Sequence, residues 1–134
     1  MNWNKFGDLS ILIIDDDQFT RELIDTILKR VPNITLYQAS NGGEALDTMG
    51  DLKLDMIFLD LYMPKLDGQE FIEIIRKSSK FQTTPIVLIT TDRLSKKNLS
   101  KIGANYYLTK PFDFQNFLRT VYSFFEQETL ANES

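Results

Sequence analysis

Five short apolar runs alternate with amphipathic stretches along this chain, and no other feature constrains the fold as strongly. Runs such as ILII, MIFL and IVLI contain no polar position, so any strand they form must be covered on both faces. Helices crossing between parallel strands provide that cover. The pattern therefore predicts an α/β fold, a single doubly wound parallel sheet of five strands with five helices. Strands are expected at about 9–14, 34–38, 55–60, 85–90 and 106–109, and helices at about 17–30, 42–50, 67–77, 93–102 and 113–127.

Local punctuation agrees with this division. Asn41-Gly42-Gly43 can open the second helix, Asp67 can cap the third beside Gly68, and Gly103 can end the fourth. On the first helix Thr20, Leu23, Ile24, Ile27, Leu28 and Val31 share a face, with Phe19 at its edge. On the last helix Phe114, Phe117, Leu118, Val121 and Phe125 form the apolar stripe, flanked by Tyr122 and Phe124. The expectation is one domain over 1–134, with a core over about 8–127, frayed ends and no attached output domain. Whether the chain is excised from a longer protein stays open.

Composition removes several function classes. With 134 residues, 43% of them hydrophobic, the chain can bury a core without staples. It has no Cys and no His, which excludes disulfides, thiolate and imidazole metal sites, and Ser-His-Asp catalysis. A formal charge of -4 with scattered basic residues argues against direct nucleic-acid binding. The apolar runs are too short to span a membrane, and MNWNKFGDLS lacks a signal-peptide core, so a cytoplasmic protein is expected.

Chemistry concentrates where strands end. Asp15-Asp16-Asp17 follows the first run, Asp60 ends the third, and Lys110-Pro111 follows the fifth. In one parallel sheet these ends share an edge, so a cluster of carboxylates faces one lysine. Crowded carboxylates raise one another's pKa unless a cation sits among them, and oxygen ligands with room for water suit Mg²⁺. An Asp closing a buried strand is costly without such partners.

Asp60 is followed by LYMPKLDG, giving the pattern D-x-x-M-P-x-x-D-G. Together with the acidic pair, Thr90 at the end of the fourth run and Lys110-Pro111-Phe112, this makes the chain resemble the CheY-like receiver domain of two-component response regulators. The resemblance covers nearly the whole chain and implies the strand order 2-1-3-4-5. It further implies that Asp60 is the phosphoacceptor, and that Asp15, Asp16, Asp60 and the backbone carbonyl of Tyr62 hold Mg²⁺, one of the acidic pair through water. Asp17 is assigned to the helix cap, although the run of three leaves the frame open by one residue.

By the same resemblance Thr90 and Lys110 stabilise the transferring phosphoryl group, and Thr90 with Tyr107 forms a conformational switch. The Lys110–Pro111 bond is expected to be cis. The implied partners are a sensor histidine kinase or a histidine phosphotransfer protein, and a downstream target, with the receiver a monomer or weak dimer. Phe19, Pro111 and Phe112 are the expected partner surface. Tyr62 and Asp92, each two residues beyond a site residue, flank the path of an attacking water, and Tyr62 is expected to screen it.

Rival readings are weaker. A flavin carrier needs phosphate donors where three carboxylates stand, and a dehalogenase-type phosphatase needs an acid where Tyr62 stands. The chain is expected to be a phosphoacceptor rather than a turnover enzyme. A pseudo-receiver acting only as an interaction module is the alternative.

Overall fold

The computed structural model describes residues 1–63 and 67–133. Pro64, Lys65 and Leu66, part of the pattern after Asp60, lie outside the described residues. Strands β1 (Leu9–Ile14), β2 (Ile34–Ala39), β3 (Met56–Asp60), β4 (Ile86–Thr90) and β5 (Tyr106–Thr109) form one parallel sheet in the order β2-β1-β3-β4-β5. Helices α1 (Gln18–Leu28), α2 (Gly42–Met49), α3 (Gly68–Arg76), α4 (Lys96–Ile102) and α5 (Phe114–Glu133) alternate with the strands. This is the doubly wound arrangement expected from the sequence.

Alternation along the strands divides the core into two. Ile11, Ile13, Met56, Phe58, Val87 and Ile89 point to one face, where α1 and α5 bury Ile24, Ile27, Phe117, Val121 and Phe125. Leu12, Ile14, Ile57, Leu59, Ile86 and Leu88 point to the other, covered by α2, α3 and α4 through Met49, Phe71, Ile75 and Leu99. Burying both faces of three central strands explains why those runs contain no polar position.

The caps follow the chemistry of their residues. Asn41 accepts from the Glu44 amide, and Asp67 from the Glu70 amide, which satisfies donors that α2 and α3 leave unpaired. Gly103 ends α4 at φ +95°, and a Cβ there would meet Ile72 Cγ2 at 2.9 Å.

Four expectations are corrected. The ends carry more regular structure than expected: α5 continues to Glu133 rather than stopping near 127, and a 3₁₀ turn at Trp3–Phe6 packs against it, with the Trp3 ring 5.1 Å from Tyr122 and 6.2 Å from Phe125. Helix α4 begins at Lys96 rather than near 93, because Ser95 supplies the cap by accepting from the Asn98 amide. Leu23 is exposed, so the buried face of α1 runs through Ile24, Ile27 and Leu28. On α5 Phe124 belongs to the buried stripe rather than its flank; its ring stacks on Tyr106 at 4.3 Å.

Candidate functional site

Register brings the strand-end residues together. Ile14 pairs with Leu59, which sets Asp15 beside Asp60, while Asp60 pairs with Ile89 and Thr90 with Thr109, which sets Thr90 and Lys110 on the same edge. The Lys110 amide donates to the Thr90 carbonyl at 2.8 Å and extends the ladder one residue beyond β5. The Lys110–Pro111 bond is cis, as expected.

Asp15, Asp16 and Asp60 each place one carboxylate oxygen within 4.8 Å of the others. Asp15 is fully buried, Asp60 is 9% exposed, and Asp16 faces solvent. Asp15 Oδ1 accepts from the Asp17 amide, but Oδ2 has no hydrogen-bond donor among the described residues; the Lys110 ammonium stands 3.5 Å away as an ion pair. Asp60 Oδ1 accepts from the Tyr62 amide at 3.1 Å.

These surroundings leave the acidic pair short of counter-charge. Burial, then the neighbouring charge of Asp15, pushes the Asp60 carboxyl up to about 6, against the opposing pull of the Tyr62 amide and Lys110. Burial also raises Asp15, although the Asp17 amide and Lys110 oppose it. One lysine does not offset three carboxylates.

A small divalent cation fits this donor set. All three ligands are hard oxygens, one buried oxygen lacks a donor, and a spread of up to 4.8 Å suits a site in which one carboxylate binds through water. Asp17 is otherwise engaged: its side chain accepts from the Phe19 amide at 3.1 Å and the Thr20 hydroxyl at 2.8 Å, which caps α1 and lowers its pKa. The geometry thus favours Asp15 and Asp16 over a frame shifted by one residue.

The remaining expected residues are distributed around this centre. Thr90 is buried, and its Oγ1 accepts from the Asp92 amide at 3.1 Å. Tyr62 is 66% exposed and donates its hydroxyl to Asp92 Oδ2 at 3.1 Å, which raises the phenol pKa. Tyr107 pairs with Leu88 and lies half-buried on the α4 side of the sheet. Phe19 is 81% exposed beside the rim and Pro111 is exposed, whereas Phe112 is half-buried with its ring 5.1 Å from Phe117.

Arg21 is a site neighbour that sequence reading missed. Its guanidinium donates to the Asp15 carbonyl at 2.6 Å and ties α1 to the acidic loop. Nothing local marks this contact, because it spans six residues and depends on the turn that Asp17 caps.

Comparison with known proteins gives the family of the chain. The family model described as the response regulator receiver domain matches residues 11–122. Protein PilG of Pseudomonas aeruginosa is 34% identical over 84% of this chain and 84% of its own length. The sensor histidine kinase CheAY of Helicobacter pylori is 37% identical over 88% of this chain but only 15% of its own length, so the likeness spans one part of that larger protein. Among solved structures, chemotaxis protein CheY4 of Vibrio cholerae superposes with a TM-score of 0.79 at 28% identity, over 87% of this chain and 98% of that one. No helix among the described residues is long and apolar enough to cross a membrane. A parallel sheet in this order, an acidic edge facing a lysine and a family match over most of the length lead to one conclusion: the chain belongs to the response regulator receiver domain family of two-component signalling.

Proposed function

We propose that this receiver is a phosphorylation-dependent switch in which Asp60 takes a phosphoryl group from a phosphohistidine, with Mg²⁺ held by Asp15, Asp16, Asp60 and the Tyr62 carbonyl. The observation that carries the proposal is a buried Asp60 carboxyl raised to about 6, clustered with Asp15 and Asp16, on an edge where Lys110 lies 3.5 Å from Asp15.

An oxygen of Asp60 forms the new bond to phosphorus as the phosphorus–nitrogen bond of the donor histidine breaks. The imidazole leaves with that electron pair and takes up a proton. In this reading the Lys110 ammonium and Thr90 hydroxyl stabilise charge spreading over the phosphoryl oxygens. Bound Mg²⁺ supplies the positive charge that the three carboxylates lack and that the transferring oxygens require. The chain carries no Gly-rich phosphate loop, which supports a phosphoprotein donor over ATP. The exposed Phe19 ring beside the rim supplies an apolar anchor for the kinase or phosphotransfer protein. Thr90 and Tyr107, on adjacent strands β4 and β5, carry the change to a downstream target.

The test is intact-mass measurement after incubation with a small acyl phosphate, with and without Mg²⁺. Addition of one phosphoryl group to the wild type with Mg²⁺, and none to Asp60→Asn, is expected. Equal labelling of Asp60→Asn overturns the acceptor assignment. No labelling of the wild type favours the pseudo-receiver reading.

A further inference from the structure

The half-buried Arg21 stands beside an acidic edge and yet pairs with none of its carboxylates. Asp15, Asp16 and Asp60 cluster there, but among the described residues Arg21 forms no ion pair; its guanidinium donates instead to the Asp15 carbonyl at 2.6 Å. Lys110, 3.5 Å from Asp15, is the cation that pulls against the raised carboxyls of Asp15 and Asp60. Arg21 holds the backbone.

The carbonyl it holds belongs to the peptide that joins Asp15 to Asp16. A peptide unit is planar and rigid, so fixing its oxygen fixes the plane from which Asp16 departs. Asp15 needs little such help, because it is fully buried, its amide donates to the Ala39 carbonyl at 3.1 Å, and its Oδ1 accepts from the Asp17 amide at 2.9 Å. Asp16 is exposed, and its side chain makes no hydrogen bond or ion pair among the described residues. Of the three carboxylates, its aim depends most on the turn beneath it. Arg21 grips that turn twice: its amide donates to the Asp17 carbonyl at 3.2 Å, and its guanidinium closes back on Asp15.

We propose that Arg21 is a positioning residue that, by holding the Asp15–Asp16 peptide, presets the acidic cluster for a small cation and so favours Mg²⁺ over Ca²⁺. This inference rests on Asp15, Asp16 and Asp60 being the metal site. Mg²⁺ demands near-octahedral oxygens at about 2.1 Å, whereas Ca²⁺ accepts about six to eight oxygens at about 2.3–2.6 Å in flexible arrangements. A turn that is free to shift therefore costs Mg²⁺ more than Ca²⁺. Groups behind a metal ligand act in this way, by orienting the ligand rather than by touching the ion.

Charge and position predict opposite signs. Arg21→Met removes a positive charge beside a cation site, which on charge alone tightens the binding of both ions alike. Loss of the positioning contact weakens binding, and more so for Mg²⁺. Arg21→Lys keeps the charge on a shorter side chain without the planar fork, so it separates position from charge. The experiment titrates the isotope-labelled, metal-free protein with magnesium chloride and, separately, with calcium chloride, and reads dissociation constants from the amide shifts of the acidic edge. Phosphoryl transfer does not enter the readout.

Arg21→Met is expected to weaken Mg²⁺ binding by about tenfold, the lower end of what losing an outer partner costs a metal site, and Ca²⁺ binding by about twofold. Arg21→Lys is expected to shift the preference in the same direction to a smaller extent, and it carries the test if Arg21→Met does not fold. Amide shifts around Arg76, at the opposite edge, are expected to match the wild type; their collapse would assign the loss to unfolding and overturn the proposal. Tighter binding of both ions in Arg21→Met, equal weakening of both, or an unchanged Mg²⁺ constant in both variants also overturns it. A wild type that binds no Mg²⁺ is a separate failure, that of the metal site itself.

Discussion

The two edges of the sheet treat polar groups in opposite ways. At the edge where the strands end, three carboxylates share one ammonium ion, and Asp15 Oδ2 lacks a hydrogen-bond donor among the described residues. At the edge where the strands begin, donors and acceptors are matched. The Arg76 guanidinium donates to the carbonyls of Phe81, Gln82, Thr84 and Gly103 and to Asn105 Oδ1, which also accepts from the Ile86 amide. Asp55 accepts from the Ser10 amide, Lys5 pairs with Glu126 at 2.8 Å, and Trp3 and Phe6 pack on Tyr122 and Phe125. The exception is Asn33 Oδ1, buried without a partner among the described residues, although its amide nitrogen bonds the Trp3 and Gly7 carbonyls. One edge is satisfied by its own chain; the other is left to be completed by something that binds.

If that contrast is right, changes at the satisfied edge destabilise and changes at the acidic edge can stabilise. The largest effect belongs to Arg76→Ala, which strands several carbonyls at the start of β4 and β5. A loss of about 2–4 kcal/mol in chemical denaturation is expected. Trp3→Ala removes edge-on contacts with Tyr122 and Phe125 and is expected to cost about 1–2 kcal/mol, with amide exchange rising over the end of α5. An unchanged exchange pattern there would mean that Glu128, which accepts from the Tyr106 hydroxyl, holds the helix alone. Asp16→Ala is expected to have the smallest effect and the opposite sign. Without Mg²⁺ it should raise the melting temperature by about 1–3 °C, and it should weaken the stabilisation that Mg²⁺ gives the wild type. A lower melting temperature in the metal-free variant would mean that Asp16 contributes to folding in its own right.

The same contrast explains what could be read from the sequence. Asp15, Asp60 and Thr90 stood out because doubly buried strands force unbroken apolar runs, so the first polar residue after each run marks the edge; Lys110 follows Thr109 on the less buried β5, and its role and that of Thr90 came from the family resemblance. The caps Asn41, Asp67 and Asp17 were legible because they act within three residues of their partners. The opposite edge was not. Trp3 and Phe6 have no periodic neighbours, and the polar tail of α5 becomes helical through Glu126 and Glu128, whose partners lie in the 3₁₀ turn and in β5. Leu23 was misread because a helix face drawn from sequence is wider than the surface the sheet offers it. The Tyr62–Asp92 bond was foreshadowed only as two residues flanking a path, since nothing in either loop specifies that the two side chains meet.

If the acidic edge is destabilised by its own charge until a cation binds, Asp60 shows it most directly. Its carboxyl is raised from 3.8 to about 6 by burial and by Asp15. Below the ordinary carboxylate range Asp60 is protonated in both folded and unfolded chains and costs nothing. As pH rises from about 4 through 6 the unfolded chain ionises first, so the folded state loses stability across that window. The measurement is the melting temperature of Asp60→Asn minus that of the wild type, followed from pH 4 to 7.5 without metal and then with Mg²⁺. The difference is expected to be smallest near pH 4, to grow in favour of Asp60→Asn between about 4 and 6 and level off above that, and to shrink when Mg²⁺ is added at pH 7.5. A difference that is flat with pH and indifferent to Mg²⁺ would contradict the claim.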